Sequence, residues 1–300
     1  MLPEKPFRFG VNLRSVHSGQ AWAATCREAE QLGYDVVLVP DHLGGPAPFP
    51  ALAAAAGATT RARLGTFVLN AAFWNPALLA REVATLDQIS GGRFELGLGT
   101  GYVRDEFETA GLPWESPGAR VDRLAAAVRD VDTRLRDPEH QPRPAQDPRP
   151  PLLLGGHGDR MLRLAAEHAD VVAFTGATLA DDAPSGTLRL VSAETLDDRV
   201  AHFRAAAGAR AADVEANILV QQVIVTDDRR AVMDAARRDF GLDYLDTDQL
   251  LELPTLLVGT VEEIAGQVRA ARERFGFSYV TVLEPSMRAM APVVKMLAGT

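Results

Sequence analysis

The amino-acid sequence predicts an α/β fold: a closed (α/β)8 barrel of the TIM type, spanning residues 1–300 as one domain. Three observations predict it. Short β-rich runs alternate with helix-period stretches from end to end. Several of the runs are continuously apolar, as strands buried on both faces of a parallel sheet are. A chain of 300 residues is also a length that α/β barrels use for one domain. A doubly wound open sheet is the competing arrangement; strand count and chain length favour the barrel.

The candidate strands are residues 7–13, 35–39, 63–69, 93–98, 151–154, 170–174, 217–225 and 278–283. VVLV in the second, LLL in the fifth and DVVAF in the sixth carry the fully buried pattern. Helix-period segments separate them, among others at 21–32, 76–89, 121–135, 160–168, 195–207, 229–240 and 261–275. Asn75-Pro76 opens one helix as N-cap and first residue, and Gly276 closes another. Two segments break the rhythm. DPEHQPRPAQDPRPP (137–151) is proline-rich and polar, hence an extended surface connection. GATLADDAPSGTLRLVS (176–192) follows the sixth strand without a clear period. It reads either as a plain surface loop or, because it leaves the C-terminal rim of a barrel, as a substrate lid.

Composition narrows the function classes. The chain is 47% hydrophobic and 24% charged, with ample material for a core. A net charge of −9 and a sequence pI near 5.2 argue against a nucleic-acid binder, which would show a basic face. No stretch approaches the roughly 18 apolar residues of a membrane span. The first residues, MLPEKPFRFG, hold no hydrophobic signal region. The lone cysteine, Cys26, fits a reducing cytoplasm and sits in a helical pattern as a small core residue. Any anionic ligand must then be gripped by local donors, which favours a small molecule.

The junctions after the strands carry the chemistry. In GGHGDRM, Gly155 and Gly156 let backbone amides turn toward a ligand without a Cβ in the way. The helix that follows adds free amides and the positive end of its dipole, and Arg160 a charged fork. Phosphate would suit that site; an ordinary tight turn with a solvated arginine is the plain alternative. GRFELGLGTGY (92–102) has G-x-G-x-G, but Tyr102 stands where the dinucleotide fingerprint needs glycine, and the strand is the fourth rather than the first. Its small mouth residues, Thr100 and Gly101, still let a flat ring approach the backbone. In VLVPDHL (37–43), Asp41 and His42 stand at a strand's C-terminal end, where a barrel keeps its catalytic groups. A capping aspartate beside a half-exposed histidine is the structural alternative. The other histidines lack metal-ligand spacing, and no G-x-S-x-G elbow, P-loop lysine or Cys–His pair occurs.

Four stretches together resemble the bacterial luciferase-like oxidoreductases, most closely the branch that uses the deazaflavin coenzyme F420. They are DHL, the long segment LGTFVLNAAFWNPALLAREVATLDQISGGRFELGLGTGY, PPLLLGGHGDRMLRLAAEHAD and GTVEEIAGQVRAARERFGFSYV, which reach across nearly the whole chain. The resemblance implies an (α/β)8 barrel with insertions at its C-terminal rim and an isoalloxazine-type ring at the mouth. It implies a bulge with a non-prolyl cis peptide at Phe67–Val68, with Asn70 beside it, behind the ring. It places the coenzyme's phosphate at Gly155, Gly156 and His157; Arg160 as charge partner is an inference from spacing. Asp41 and His42 match the acidic-histidine pair beside the reactive face. One departure is plain: the sugar-phosphate dehydrogenases of this branch carry a catalytic glutamate after G-[TS]-G, and here Tyr102 holds that place, with Glu106 four residues on.

The expectation is therefore a hydride-transferring oxidoreductase acting on a small molecule, with F420 as coenzyme. His42 would exchange the proton, oriented by Asp41, with Tyr102 or Glu106 as secondary groups. Phe73, Trp74 and Trp114 would either wall the mouth or pack behind it. An FMN-dependent monooxygenase on the same barrel is the nearest rival, followed by a coenzyme-free binding barrel. A phosphosugar enzyme without redox coenzyme fits less well, because the phosphate-type turn follows the fifth strand, not the seventh or eighth. Relatives commonly pair, which leaves homodimerisation open.

Overall fold

A computed structural model of the chain describes residues 5–180, 183–239 and 242–300. Parts of the expected lid (181–182), of the 229–240 helix (Phe240) and of the N-terminal stretch (1–4) lie outside the described residues. The strands are β1 (Arg8–Asn12), β2 (Val36–Val39), β3 (Arg63–Thr66), β4 (Leu69–Asn70), β5 (Phe94–Gly99), β6 (Leu152–Gly155) and β7 (Val171–Phe174). After a hairpin, β8 (Ala177–Leu179) and β9 (Leu188–Leu190), come β10 (Glu215–Val220), β11 (Gln222–Val225), β12 (Leu256–Gly259) and β13 (Phe277–Leu283). Round the barrel the order is β3, β2, β1, β13, β10, β7, β6 and β5, and β5 returns to pair with β3. Every barrel pairing is parallel. The closed (α/β)8 barrel is thus the fold, and all eight expected runs supply its strands.

Helices cross over between them: α1 (Gly19–Gln31), α2 (Pro48–Ala58), α3 (Pro76–Ser90), α4 (Arg104–Thr109), α5 (Pro117–Arg136) and α6 (Asp159–His168). The rest are α7 (Ala193–Ala207), α8 (Arg229–Asp239), α9 (Thr247–Glu252), α10 (Val261–Phe275) and α11 (Met287–Leu297). The expected caps hold. The Asn75 side chain accepts from Ala77 N and Leu78 N at the start of α3, and Gly276 ends α10 at φ 87°. Most of the helices bury one face on the outside of the barrel, forming the main core with Trp22, Phe94 and Phe277 among its largest members, while α8 and α9 bury Met233 and Leu250 in a separate cluster with Val258 of β12.

One expected strand, 217–225, is corrected. It breaks after Val220: Gln221 N and Gln222 N both turn to the carbonyl of Thr255, and β11 leaves the barrel to pair with β12. A contact 34 positions along the chain bends it, so no local period could have shown the break.

The barrel is closed at one end. Arg8 reaches Glu215 at 2.5 Å and Glu95 at 2.6 Å, Arg63 also pairs with Glu95, and the Arg8 guanidinium lies over the Tyr279 ring. Above this ionic layer Val36, Leu38, Leu153, Val171 and Ala173 fill the interior, so the open space lies at the C-terminal mouth. No described helix is long and apolar enough to cross a membrane.

Candidate active site at the barrel mouth

The mouth is shaped by a bulge between β3 and β4. From Gly65 to Leu69 the chain advances four residues while its partner β5 advances three, from Glu95 to Leu98. The Phe67–Val68 peptide inside the bulge is cis. Thr66 replaces the interrupted ladder: its hydroxyl accepts from Gly97 N at 2.8 Å and donates to Gly97 O at 2.9 Å. The glycine spacing of β5 now has a structural cause. A Cβ at Gly97 would lie 2.0 Å from the Thr66 carbonyl oxygen, one at Gly99 2.7 Å from Val68, and one at Gly101 2.4 Å from the Asn70 amide. These glycines make room for the bulge.

Behind the bulge opens a cavity of ≈ 450 Å³. Of the residues named from sequence, Asp41, His42, Phe67, Val68, Asn70, Thr100, Gly101, Tyr102, Glu106, Gly155, Gly156 and His157 all line it. Arg160 does not. It faces outward, pairing with Asp122 and donating to the carbonyl of Gly118 at 3.1 Å. Sequence reading missed Asn12, Arg14 and Gln221, at the ends of β1 and β10, which also line the cavity. Arg14 stands just past an apolar run, the position at which a parallel barrel exposes its functional groups, and that was the available signal; Asn12 and Gln221 lay inside expected strands.

The histidine is oriented differently from expectation. His42 Nδ1 lies 2.9 Å from Glu106 Oε1, and since a carboxylate only accepts, Nδ1–H donates and Nε2 is left as the acceptor. The Tyr102 hydroxyl approaches Nε2 at 3.4 Å. Asp41 has other partners: its Oδ2 accepts from Trp74 Nε1 at 2.9 Å and from Asn70 N at 3.2 Å. Glu106, from the first turn of α4, takes the orienting contact because Asp41 is turned toward the bulge. Burial raises the Asp41 carboxyl above its ordinary range, partly offset by those two hydrogen bonds. Burial also raises the Tyr102 phenol. It lowers the His157 imidazole, with the charge of Arg199 acting in the same direction.

The aromatic candidates pack behind the mouth rather than facing the cavity. Trp74 stands edge-on to Phe49 while holding Asp41, and Phe107 sits between Phe73 and Trp114, which Arg120 covers. The hairpin β8–β9 instead sends Leu179 and Leu188 into the cavity lining.

At the turn after β6, Gly156 N donates to Ala173 O at 3.1 Å, so that amide is committed to the sheet. The next amides, of His157, Gly158 and Asp159, have no partner among the described residues and open the first turn of α6, whose N-cap Gly158 offers no side chain. Three polar atoms buried in the cavity wall are likewise unpartnered: Asn12 Oδ1, Asn70 Nδ2 and His157 Nδ1. Among the described residues no three His, Cys, Asp or Glu side chains converge as a metal site would require.

A closed parallel barrel with one deep C-terminal cavity and a histidine–carboxylate pair on its wall defines the class. More particularly, the chain belongs to the luciferase-like monooxygenase family, which it matches over residues 7–279. A curated F420-dependent glucose-6-phosphate dehydrogenase from Beutenbergia cavernae is 31% identical over 244 residues, covering 74% of this chain and 68% of that protein. Alignments to several other curated relatives cover only 33% to 60% of those proteins. Among solved structures, an F420-dependent secondary alcohol dehydrogenase superposes with a TM-score of 0.76 at 17% identity, over 98% of both chains. A monooxygenase from Streptomyces bottropensis superposes with a TM-score of 0.70 at 23% identity, over 97% of this chain and 98% of that one. Both kinds of enzyme therefore share this fold.

Proposed function

We propose that the protein is an oxidoreductase that uses the deazaflavin coenzyme F420 and transfers a hydride between it and a small organic substrate at the barrel mouth. The observation that carries this reading is the His42–Glu106–Tyr102 constellation on the cavity wall beside the Phe67–Val68 bulge. The B. cavernae relative, named as F420-dependent, supports the choice of coenzyme.

The cavity fits such a group. Unpartnered buried polar atoms at Asn12, Asn70 and His157 offer one acceptor, one donor and a ring nitrogen to a heteroatom-rich planar ligand. Phe67 and Val68 supply an apolar backing, and the amides of residues 157–159 a place for phosphate. When bound, the coenzyme supplies the ring carbon that exchanges hydride. The protein supplies the rest. Glu106 holds His42 in one tautomer, leaving Nε2 to take or give the substrate's proton. Tyr102 steadies Nε2, and the hairpin leucines keep water from the reacting face. Tyr102 stands where sugar-phosphate dehydrogenases of the branch carry glutamate, and the carboxylate arrives instead from Glu106.

The test is a titration of the protein with F420 and, separately, FMN, followed by ring fluorescence, then a measurement of oxygen consumption with each reduced coenzyme. Tight F420 binding without oxygen uptake is the expected result. Preferential FMN binding with oxygen uptake would assign the monooxygenase instead, and no binding of either would leave a coenzyme-free barrel.

A further inference from the structure

We propose that the substrate is an amphipathic organic anion, its acid group held by the Arg14 guanidinium and its apolar body lying under Leu179 and Leu188. This rests on reading the cavity as a redox site, and it names what that site accepts.

Arg14 follows β1 and lines the cavity. Its backbone N–H donates to Glu284 Oε2 at 2.7 Å, which fixes the residue at the rim. Its guanidinium has no hydrogen bond or ion pair with any described residue, whereas both carboxylates of the cavity are already engaged, Asp41 by Trp74 and Asn70 and Glu106 by His42. Arg14 is also the one permanent cation among the described residues of the lining. Arg14 is exposed, and a guanidinium at the rim of a ligand cavity without a carboxylate partner is an open fork for an anion.

Its position separates it from the coenzyme's tail. In the barrel order β1 lies four strands from β6 in either direction, so Arg14 stands diametrically across the mouth from the turn at residues 155–158. An anion held by those amides is out of its reach. It is close enough to the reacting side for its charge to oppose the effect of burial on Tyr102.

From Arg14 an apolar arc continues round the rim. Leu283 ends the neighbouring β13, Leu219 lies on β10, and Leu179 and Leu188 come from the hairpin after β7. The two hairpin leucines are 39% and 41% exposed although they face the cavity, so apolar surface stays in water until a ligand covers it. A cation at one end of an apolar arc selects a molecule with an acid group at one end of an apolar body.

The experiment is calorimetric titration of octanoate, octyl phosphate, 1-octanol and octylammonium into coenzyme-loaded protein, for wild type, Arg14→Ala and Arg14→Lys. The expected result is that the anions bind and that Arg14→Ala weakens them by roughly tenfold to a hundredfold, the range of a charge-assisted hydrogen bond. Arg14→Lys should retain part of the affinity, and 1-octanol should be insensitive to either change. Comparing octanoate with octyl phosphate distinguishes a carboxylate from a phosphate ester. Equal affinity for octanoate and octanol, or octanoate binding indifferent to Arg14, would overturn the proposal. So would an equal loss of coenzyme affinity in Arg14→Ala, which would give the arginine to the coenzyme. If neither coenzyme binds, the redox reading fails, and the same titrations on the protein alone still decide the role of Arg14.

Discussion

His42 and Asp41 are adjacent in sequence and do different work. His42→Ala should lower turnover by roughly 10²- to 10⁴-fold, the usual contribution of a positioned acid–base group, with coenzyme affinity unchanged in a fluorescence titration. Glu106→Gln keeps an acceptor for Nδ1–H but removes the charge, so a smaller loss, about tenfold, is expected in the same assay. Asp41 carries a pH signature. Its carboxyl is raised chiefly by burial, so ionising it costs more in the folded than in the unfolded chain. That cost is present above the folded pKa and vanishes below the ordinary carboxylate value. Asp41→Asn, whose carbonyl can still accept from Trp74 and Asn70, should therefore raise Tm at pH 7 by about 1–2 °C, with the gain disappearing under acid. A wild-type-like Tm at both pH values would contradict this. The sequence named both residues because ionisable groups after an apolar strand are visible locally. It assigned the orienting contact to the neighbour Asp41, since nothing local announces that Glu106, 64 positions away, would reach Nδ1.

Elements explain the glycines better than a ligand does. Gly97 and Gly99 face the bulge across β5, and Gly101 meets Asn70 in a backbone conformation at φ 69°. Gly97→Ala places a methyl against backbone that cannot retreat, so loss of more than about 4 kcal/mol, or of folded protein altogether, is expected by urea denaturation. Gly101→Ala should cost less, about 1–2 kcal/mol, because a side chain can yield, but it should also weaken coenzyme binding by displacing Asn70. The apolar-run pattern located all eight barrel strands. It could not show that the seventh run divides at Gln221, since the carbonyl that turns it belongs to Thr255. The short β12, LLVG, was missed as well.

At the scale of the molecule, the barrel is sealed below by ions and open above to a ligand. Arg8 compensates Glu95 and Glu215, whose side chains are 4% and 11% exposed. Arg8→Met leaves Glu215 buried without its ionic partner and Glu95 with Arg63 alone, and a loss of roughly 3 kcal/mol or more is expected in thermal unfolding, with coenzyme affinity unchanged at the opposite end of the barrel. Coenzyme binding should stabilise the whole fold by mass action, by about 2.7 kcal/mol at a hundredfold excess over Kd. F420 should produce the resulting rise of several degrees in Tm, and FMN should not.

By itself the sequence determined the eight-fold alternation, the helix caps, and a set of small, acidic and imidazole-bearing residues at strand ends. Period, cap chemistry and glycine all act over a few residues, so they can be read without knowing what lies across the barrel. Only the tertiary structure decided the partners: His42 with Glu106, Asp41 with Trp74, Arg160 with Asp122 away from the cavity, and Arg14 left open at its rim. Those contacts join residues 33 to 64 positions apart, and closure of the barrel is what brings them within hydrogen-bonding distance.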